Sequence, residues 1–150
     1  MVDVSGKMPT SRCAIAACEI LMKPETLLLL RSGKIKKGDA FTVAKTAAFL
    51  AAKKTSELIP LCHPLPLESI DIRFRDLAKR NGILIEAEVR ATAKTGVEME
   101  ALTAASLAAL TFYDMAKAVD PGMIIMNLKL IRKTGGKSDF FNESRHSDGQ

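Results

Sequence analysis

An α+β fold, with one four-stranded antiparallel sheet and its helices on one face, is predicted by three features of this 150-residue sequence. Residues 69–76 and 83–93 alternate apolar and polar side chains on either side of Asn81-Gly82, the pattern of two half-buried strands joined by a turn. Two Ala-rich stretches, 40–54 and 97–119, are bounded by helix start and stop signals. Apolar runs at 10–22 and 124–133 supply one strand before these helices and one after them.

Taken in order, residues 10–22 (TSRCAIAACEILM) read as the first strand. Lys23-Pro24 opens a short helix through Leu30, because Pro is tolerated in a first turn, and Gly33 stops it. Lys34 to Gly38 form a basic connection into Asp39, an N-cap residue for the second helix. Leu58 to Pro66 holds three prolines, which exclude a helix interior and leave an ordered apolar loop. In 69–76, Ile70, Ile72 and Phe74 point one way and Asp71, Arg73 and Arg75 the other. Thr95-Gly96-Val97-Glu98 has capping-box spacing, with Thr95 as N-cap and Glu98 at the third helical position. The helix that follows runs to about Val119 and stops at Asp120-Pro121-Gly122, and Ile124 to Lys133 is the last strand. The polar remainder, TGGKSDFFNESRHSDGQ, is expected to be loose from about residue 138. The order strand, helices, strand, strand, helix, strand is the split βαβ arrangement of the ferredoxin-like class, in a chain that reads as one domain. The uncovered face of such a sheet is a place for a partner or second subunit.

Composition narrows the function classes. With 47% hydrophobic and 26% charged residues the chain is of globular type, and the first residues, MVDVSGKMPTSR, lack the apolar core of a signal peptide. No run approaches the roughly 18 apolar residues that span a bilayer, so a cytoplasmic protein without membrane contact is expected. Cys13, Cys18 and Cys62 form no CxxC pair, and His63 and His146 stand far apart, which argues against a zinc site and against a disulfide framework. A net charge of +5 implies an anionic partner: nucleic acid, a phosphorylated metabolite or an anionic surface.

Asp114 and Lys117 are spaced i, i+3 on the long helix, where a carboxylate can orient an ammonium. Such pairs are commonly weak surface contacts. Here residues 101–119 are otherwise almost all small or apolar, so the helix is expected to be buried nearly all round and Lys117 desolvated, with its pKa lowered toward the range useful for proton transfer. Cys62 and His63 sit side by side in the proline-rich loop, although adjacent residues of an extended loop point in different directions. Basic residues are numerous at element ends: Arg12, Lys36, Lys37, Lys53, Lys54, Lys94, Arg132, Lys133 and Lys137. A partly enclosed group of them would suit a triphosphate. Gly135-Gly136-Lys137-Ser138 ends like a phosphate-binding P-loop, but Ile131 holds the required upstream glycine position, and there is no GxGxxG.

Four blocks, MVDVSGK, KKGDAFTVAKTAAFLAAKKTSELIPLCHPLPL, KTGVEMEALTAASLAALTFYDMAKAVD and LIRKTGGKS, give the chain a close resemblance over nearly its whole length to the molybdenum-cofactor biosynthesis protein C family, the cyclic pyranopterin monophosphate synthases. The resemblance implies a ferredoxin-like protomer assembled as a hexamer, a trimer of dimers, with active sites at subunit interfaces. It implies that 3′,8-cyclo-7,8-dihydroguanosine 5′-triphosphate is rearranged to the pyranopterin with release of pyrophosphate, a phosphorus-oxygen lyase reaction. It carries over Asp114 and Lys117 as the catalytic pair, and Leu61, Cys62, His63, Met99 and Glu100 as substrate contacts. Lys53, Lys133, Lys37 and Arg12 become the remaining cations of the pocket. No cofactor is required, although magnesium can accompany the triphosphate without dedicated protein ligands.

Two other readings compete. A ferredoxin-like RNA-binding domain needs aromatic residues on its central strands, and this sheet offers only Phe74 and no RNP1-like run, so no nucleic-acid partner is expected. A structural oligomeric module leaves the polar residues of the apolar helix unexplained.

Overall fold

The computed structural model describes residues 1–142. Its elements are β1 (Thr10–Leu21), α1 (Pro24–Arg31), α2 (Ala40–Lys53), the single turn α3 (Thr55–Leu58), β2 (Ser69–Asp76), β3 (Gly82–Ala93), α4 (Glu98–Ala116), β4 (Ile124–Thr134) and β5 (Phe140–Phe141). The sheet runs β2-β3-β1-β4-β5 with every neighbouring pair antiparallel. Its first four strands have the order of the ferredoxin-like fold, as the split βαβ arrangement requires.

The expected sheet of four strands gains a fifth. Gly135 and Gly136 both adopt positive φ, which turns the chain back on itself, and the Asp139 carboxylate accepts the Gly135 N–H at 3.0 Å. Phe140 and Phe141 then pair with Lys133 and Arg132, and the Arg132 guanidinium lies over the Phe141 ring. Part of the tail expected to be loose is thus paired at the sheet edge; the rest of it, 143–150, lies outside the described residues.

Alanine sets the spacing between layers. Ala14 and Ala16 of β1 and Ala87 and Ala91 of β3 face Ala101, Ala104, Ala105 and Ala108 of α4, all essentially inaccessible to solvent. With so little side chain between them, helix and sheet approach closely and lose few dispersion contacts to voids. Ala40, Ala44 and Ala48, one helical turn apart, put α2 against α4 in the same way. Where the layers part, Phe41, Phe74 and Phe112 fill the gap with mutual edge-to-face contacts, ring centroids 5.0–5.6 Å apart. Phe74 therefore faces the helices.

Asp39 caps α2 as expected, accepting from the Phe41 and Thr42 N–H groups. The capping box expected at α4 does not form: the N-cap is Val97, and no side chain caps it. Glu98 is drawn elsewhere, onto Lys133 of β4 at 3.0 Å, an ion pair that replaces the reciprocal cap. The buried Asp120 stops α4 and also accepts from the Lys23 N–H at 2.9 Å and the Thr26 hydroxyl at 3.0 Å, fixing the start of α1 to the end of α4. On the uncovered face of the sheet, Arg73 and Arg90 flank Glu88 while Arg80 and Asn127 hold Glu19. That face mixes these charged pairs with Ile15 and Ala17 of β1 and Leu84 of β3.

Candidate active site

The N-terminal end of α4, the proline-rich loop and the β4–β5 turn meet around two adjoining clefts. The first, of about 450 Å³, is cationic: Lys7, Arg12, Lys94, Lys133 and Lys137 line it with Gly136 and Ser138. The second, of about 530 Å³, is lined by Leu61, Cys62 and His63 of the loop and by Met99 and Glu100 of α4. Lys7, Thr95, Gly96 and Glu98 belong to both, so the clefts are two lobes of one depression with Glu98 at their junction.

Each lobe follows from local structure. Cys62 and His63 are half-buried because the prolines hold the loop extended against the α4 terminus, so that neighbours in sequence line one wall together. Glu100 is 4% exposed, and its burial raises the carboxyl above its ordinary range; its own backbone N–H partly offsets this and the Glu98 carboxylate adds to it. Burial, helped by Glu100, also raises the Cys62 thiol. Cys62 is therefore held as a thiol, which disfavours nucleophilic attack by it. Arg12 lines the cationic lobe with its guanidinium committed to the carbonyls of Ala93, Lys94 and Gly135 at 3.3–3.4 Å, bracing the two loops that form the wall.

The remaining expected residues lie elsewhere. Asp114 and Lys117 pair at 2.8 Å, but each side chain is 54% exposed, which overturns the expected desolvation. Phe112, Met115 and Ala116 of this last turn are buried in the core, and Asp114 and Lys117 lie on its outward side. Lys37 joins them, donating to the Asp114 carboxylate at 2.7 Å and to its carbonyl at 2.9 Å, so it belongs with the Asp114–Lys117 pair and not with the cationic lobe. Hydrogen bonds from Lys117 and then Lys37 depress the Asp114 carboxyl to about 2, and the Asp114 carboxylate raises the Lys117 ammonium, the reverse of the expected lowering. Lys53 is exposed in the last turn of α2 and is not among the residues lining either lobe.

Because the Asp114 carboxyl is depressed in the folded chain, the contribution of this cluster to stability is present above the ordinary value of 3.8 and disappears as pH falls toward 2. Thermal unfolding of the wild type and Asp114→Asn should accordingly differ by a constant amount from pH 7 to about 5. That difference should close below pH 4, and a difference that persists to pH 2 would contradict the pairing.

Glu100 and Lys117 stand at opposite ends of α4, about 25 Å apart along its axis at roughly 1.5 Å per residue. Within one copy, the two-lobed depression and the Asp114–Lys117–Lys37 cluster do not meet. Sequence reasoning gave no role to Lys7, and none individually to Lys94 and Lys137. They approach Lys133 only through strand pairing and the glycine turn, and no local pattern signals that. Among the described residues no three His, Cys, Asp or Glu side chains are placed to hold a metal ion, and no helix is long and apolar enough to cross a membrane.

The profile of the MoaC family matches residues 1–136. The chain belongs to the MoaC family. The match takes in β1 through β4, both lobes as far as Gly136, and the Asp114–Lys117 pair. Curated relatives named cyclic pyranopterin monophosphate synthase include one from Pelotomaculum thermopropionicum, 56% identical over 94% of this chain and 83% of that protein. Others come from Brevibacillus brevis, 56% identical over 95% and 88%, and from Listeria monocytogenes, 55% identical over 94% and 88%. A solved structure, a de novo designed protein with a ferredoxin fold, aligns over 92% of this chain and 98% of its own at 10% identity and a TM-score of 0.41.

Proposed function

We propose that this chain is a cyclic pyranopterin monophosphate synthase, which converts 3′,8-cyclo-7,8-dihydroguanosine 5′-triphosphate to cyclic pyranopterin monophosphate and pyrophosphate in molybdenum cofactor biosynthesis. The observation that carries this is the two-lobed depression: a cationic lobe suited to a triphosphate opens directly into a lobe with a buried carboxyl, a histidine and a thiol. Both lobes are of a size that holds small ligands.

The rearrangement opens the imidazole ring of the purine and builds a pyrazine, which requires several proton transfers. Glu100, with its raised pKa, can donate a hydrogen bond or a proton to the guanine-derived edge. Lys117 enters as an ammonium and acts first as a proton donor, with Asp114 setting its direction. Lys133 and its neighbours hold the triphosphate and stabilise the charge that develops as the phosphate cyclises and pyrophosphate leaves. Magnesium can accompany the phosphates without dedicated protein ligands.

Both ends of α4 reach one substrate only if two copies combine, the depression of one facing the Asp114–Lys117 cluster of another. The assembly is then a cytoplasmic hexamer built as a trimer of dimers, with each site at an interface. Incubation with the cyclised nucleotide under anaerobic conditions should yield one pyrophosphate per pterin, the pterin read by fluorescence after oxidation. Pyrophosphate without pterin, or neither product from a folded assembly, would overturn the assignment.

A further inference from the structure

The junction of the two lobes contains a feature that substrate binding alone does not require. Gly96 is not among the residues with positive φ, so its backbone does not demand glycine. Its space does: a Cβ built there would coincide with the Glu98 carboxylate, which is folded back over Gly96. In that position one carboxylate oxygen lies above Gly96 and the other meets the Lys133 ammonium at 3.0 Å. The pair is neither buried nor free, with side chains 35% exposed for Lys133 and 26% for Glu98, so it is weak enough for a ligand to displace.

We propose that Gly96 is a positioning residue, whose missing side chain lets Glu98 act as a built-in counter-anion on Lys133, which the polyphosphate must displace on entry and which returns as pyrophosphate leaves. The proposal rests on the reading of the cationic lobe as the triphosphate site. Its physical content is competition. A carboxylate seated on the cation lowers the affinity of that cation for every other anion, product included, so that pyrophosphate does not remain bound after the chemistry. An alanine at 96 pushes the flexible end of Glu98 off Lys133 and leaves the backbone as it is. A glutamine at 98 keeps the shape and removes the charge.

The test is calorimetric titration of the full chain with inorganic pyrophosphate, for the wild type, Gly96→Ala, Glu98→Gln and the double variant. Each single variant should bind about two- to fivefold more tightly, the scale of a partly exposed ion pair. The double variant should gain no more than Glu98→Gln alone, because both changes act through one carboxylate. A gain in affinity is not what a merely disturbed loop would give. Binding by Glu98→Gln equal to or weaker than wild type overturns the counter-anion. A tighter Glu98→Gln beside an unchanged Gly96→Ala overturns the role of Gly96. A folded wild type that takes up no pyrophosphate overturns the polyphosphate lobe itself and this proposal with it.

Discussion

Lys117→Ala is expected to lower turnover by about 10²- to 10⁴-fold, the range of a positioned proton-transfer group, while the chain keeps its fold and its assembly. The fold should survive because the side chain is 54% exposed and its ion pair is with Asp114, on the outward side of α4. The affinity for pyrophosphate should change far less than turnover, because Lys7, Lys94, Lys133 and Lys137 still line the cationic lobe. Steady-state rates beside pyrophosphate titration separate these effects. A Lys117→Ala chain that turns over at near wild-type rate would remove Lys117 from the chemistry, and one that no longer assembles would assign it to the interface instead.

Much of the fold is legible in the sequence because its signals are local. Alternation in β2 and β3, Asp39 before α2 and Gly33 after α1 each act within a few residues, and the structure uses all of them, whereas the expected Asn81-Gly82 turn shifts upstream: the chain reverses over residues 77–81 and Gly82 is already paired in β3. The departures arise where a distant residue competes. Thr95 and Glu98 have the spacing of a capping box, but Lys133, brought alongside by strand pairing, takes the carboxylate. Phe140-Phe141 looks too short for a strand, and becomes one only because two glycines reverse the chain beside β4.

The same division runs through the site. Leu61, Cys62, His63, Met99 and Glu100 line one lobe together, with Lys133 and Arg12 in the adjoining one. The misreading concerns environment. An apolar helix sequence predicts that Asp114 and Lys117 are buried, yet both lie on the outward side of a turn whose Met115 and Ala116 are buried, and exposure with a second cation, Lys37, sets the charges of this pair. Residue types and spacing show that two groups can meet; they do not show how much water surrounds them. They do show the separation of Glu100 from Lys117, because a helix predicted to run through both sets them about 25 Å apart at roughly 1.5 Å per residue.

That separation gives the account its second large effect and its most direct test. Lys117→Ala damages only the cluster at one end of α4, and Lys133→Ala only the cationic lobe at the other. Each alone should be nearly inactive. Co-expressed with different tags and purified through both, the two variants form mixed assemblies in which some sites combine the intact lobe of one chain with the intact Asp114–Lys117 pair of the other. For random pairing roughly one site in four is then whole. The account predicts recovery to about a quarter of wild-type turnover from two nearly inactive parents. Mixed assemblies no more active than the parents would contradict it, since that result requires both halves of each site to come from a single chain.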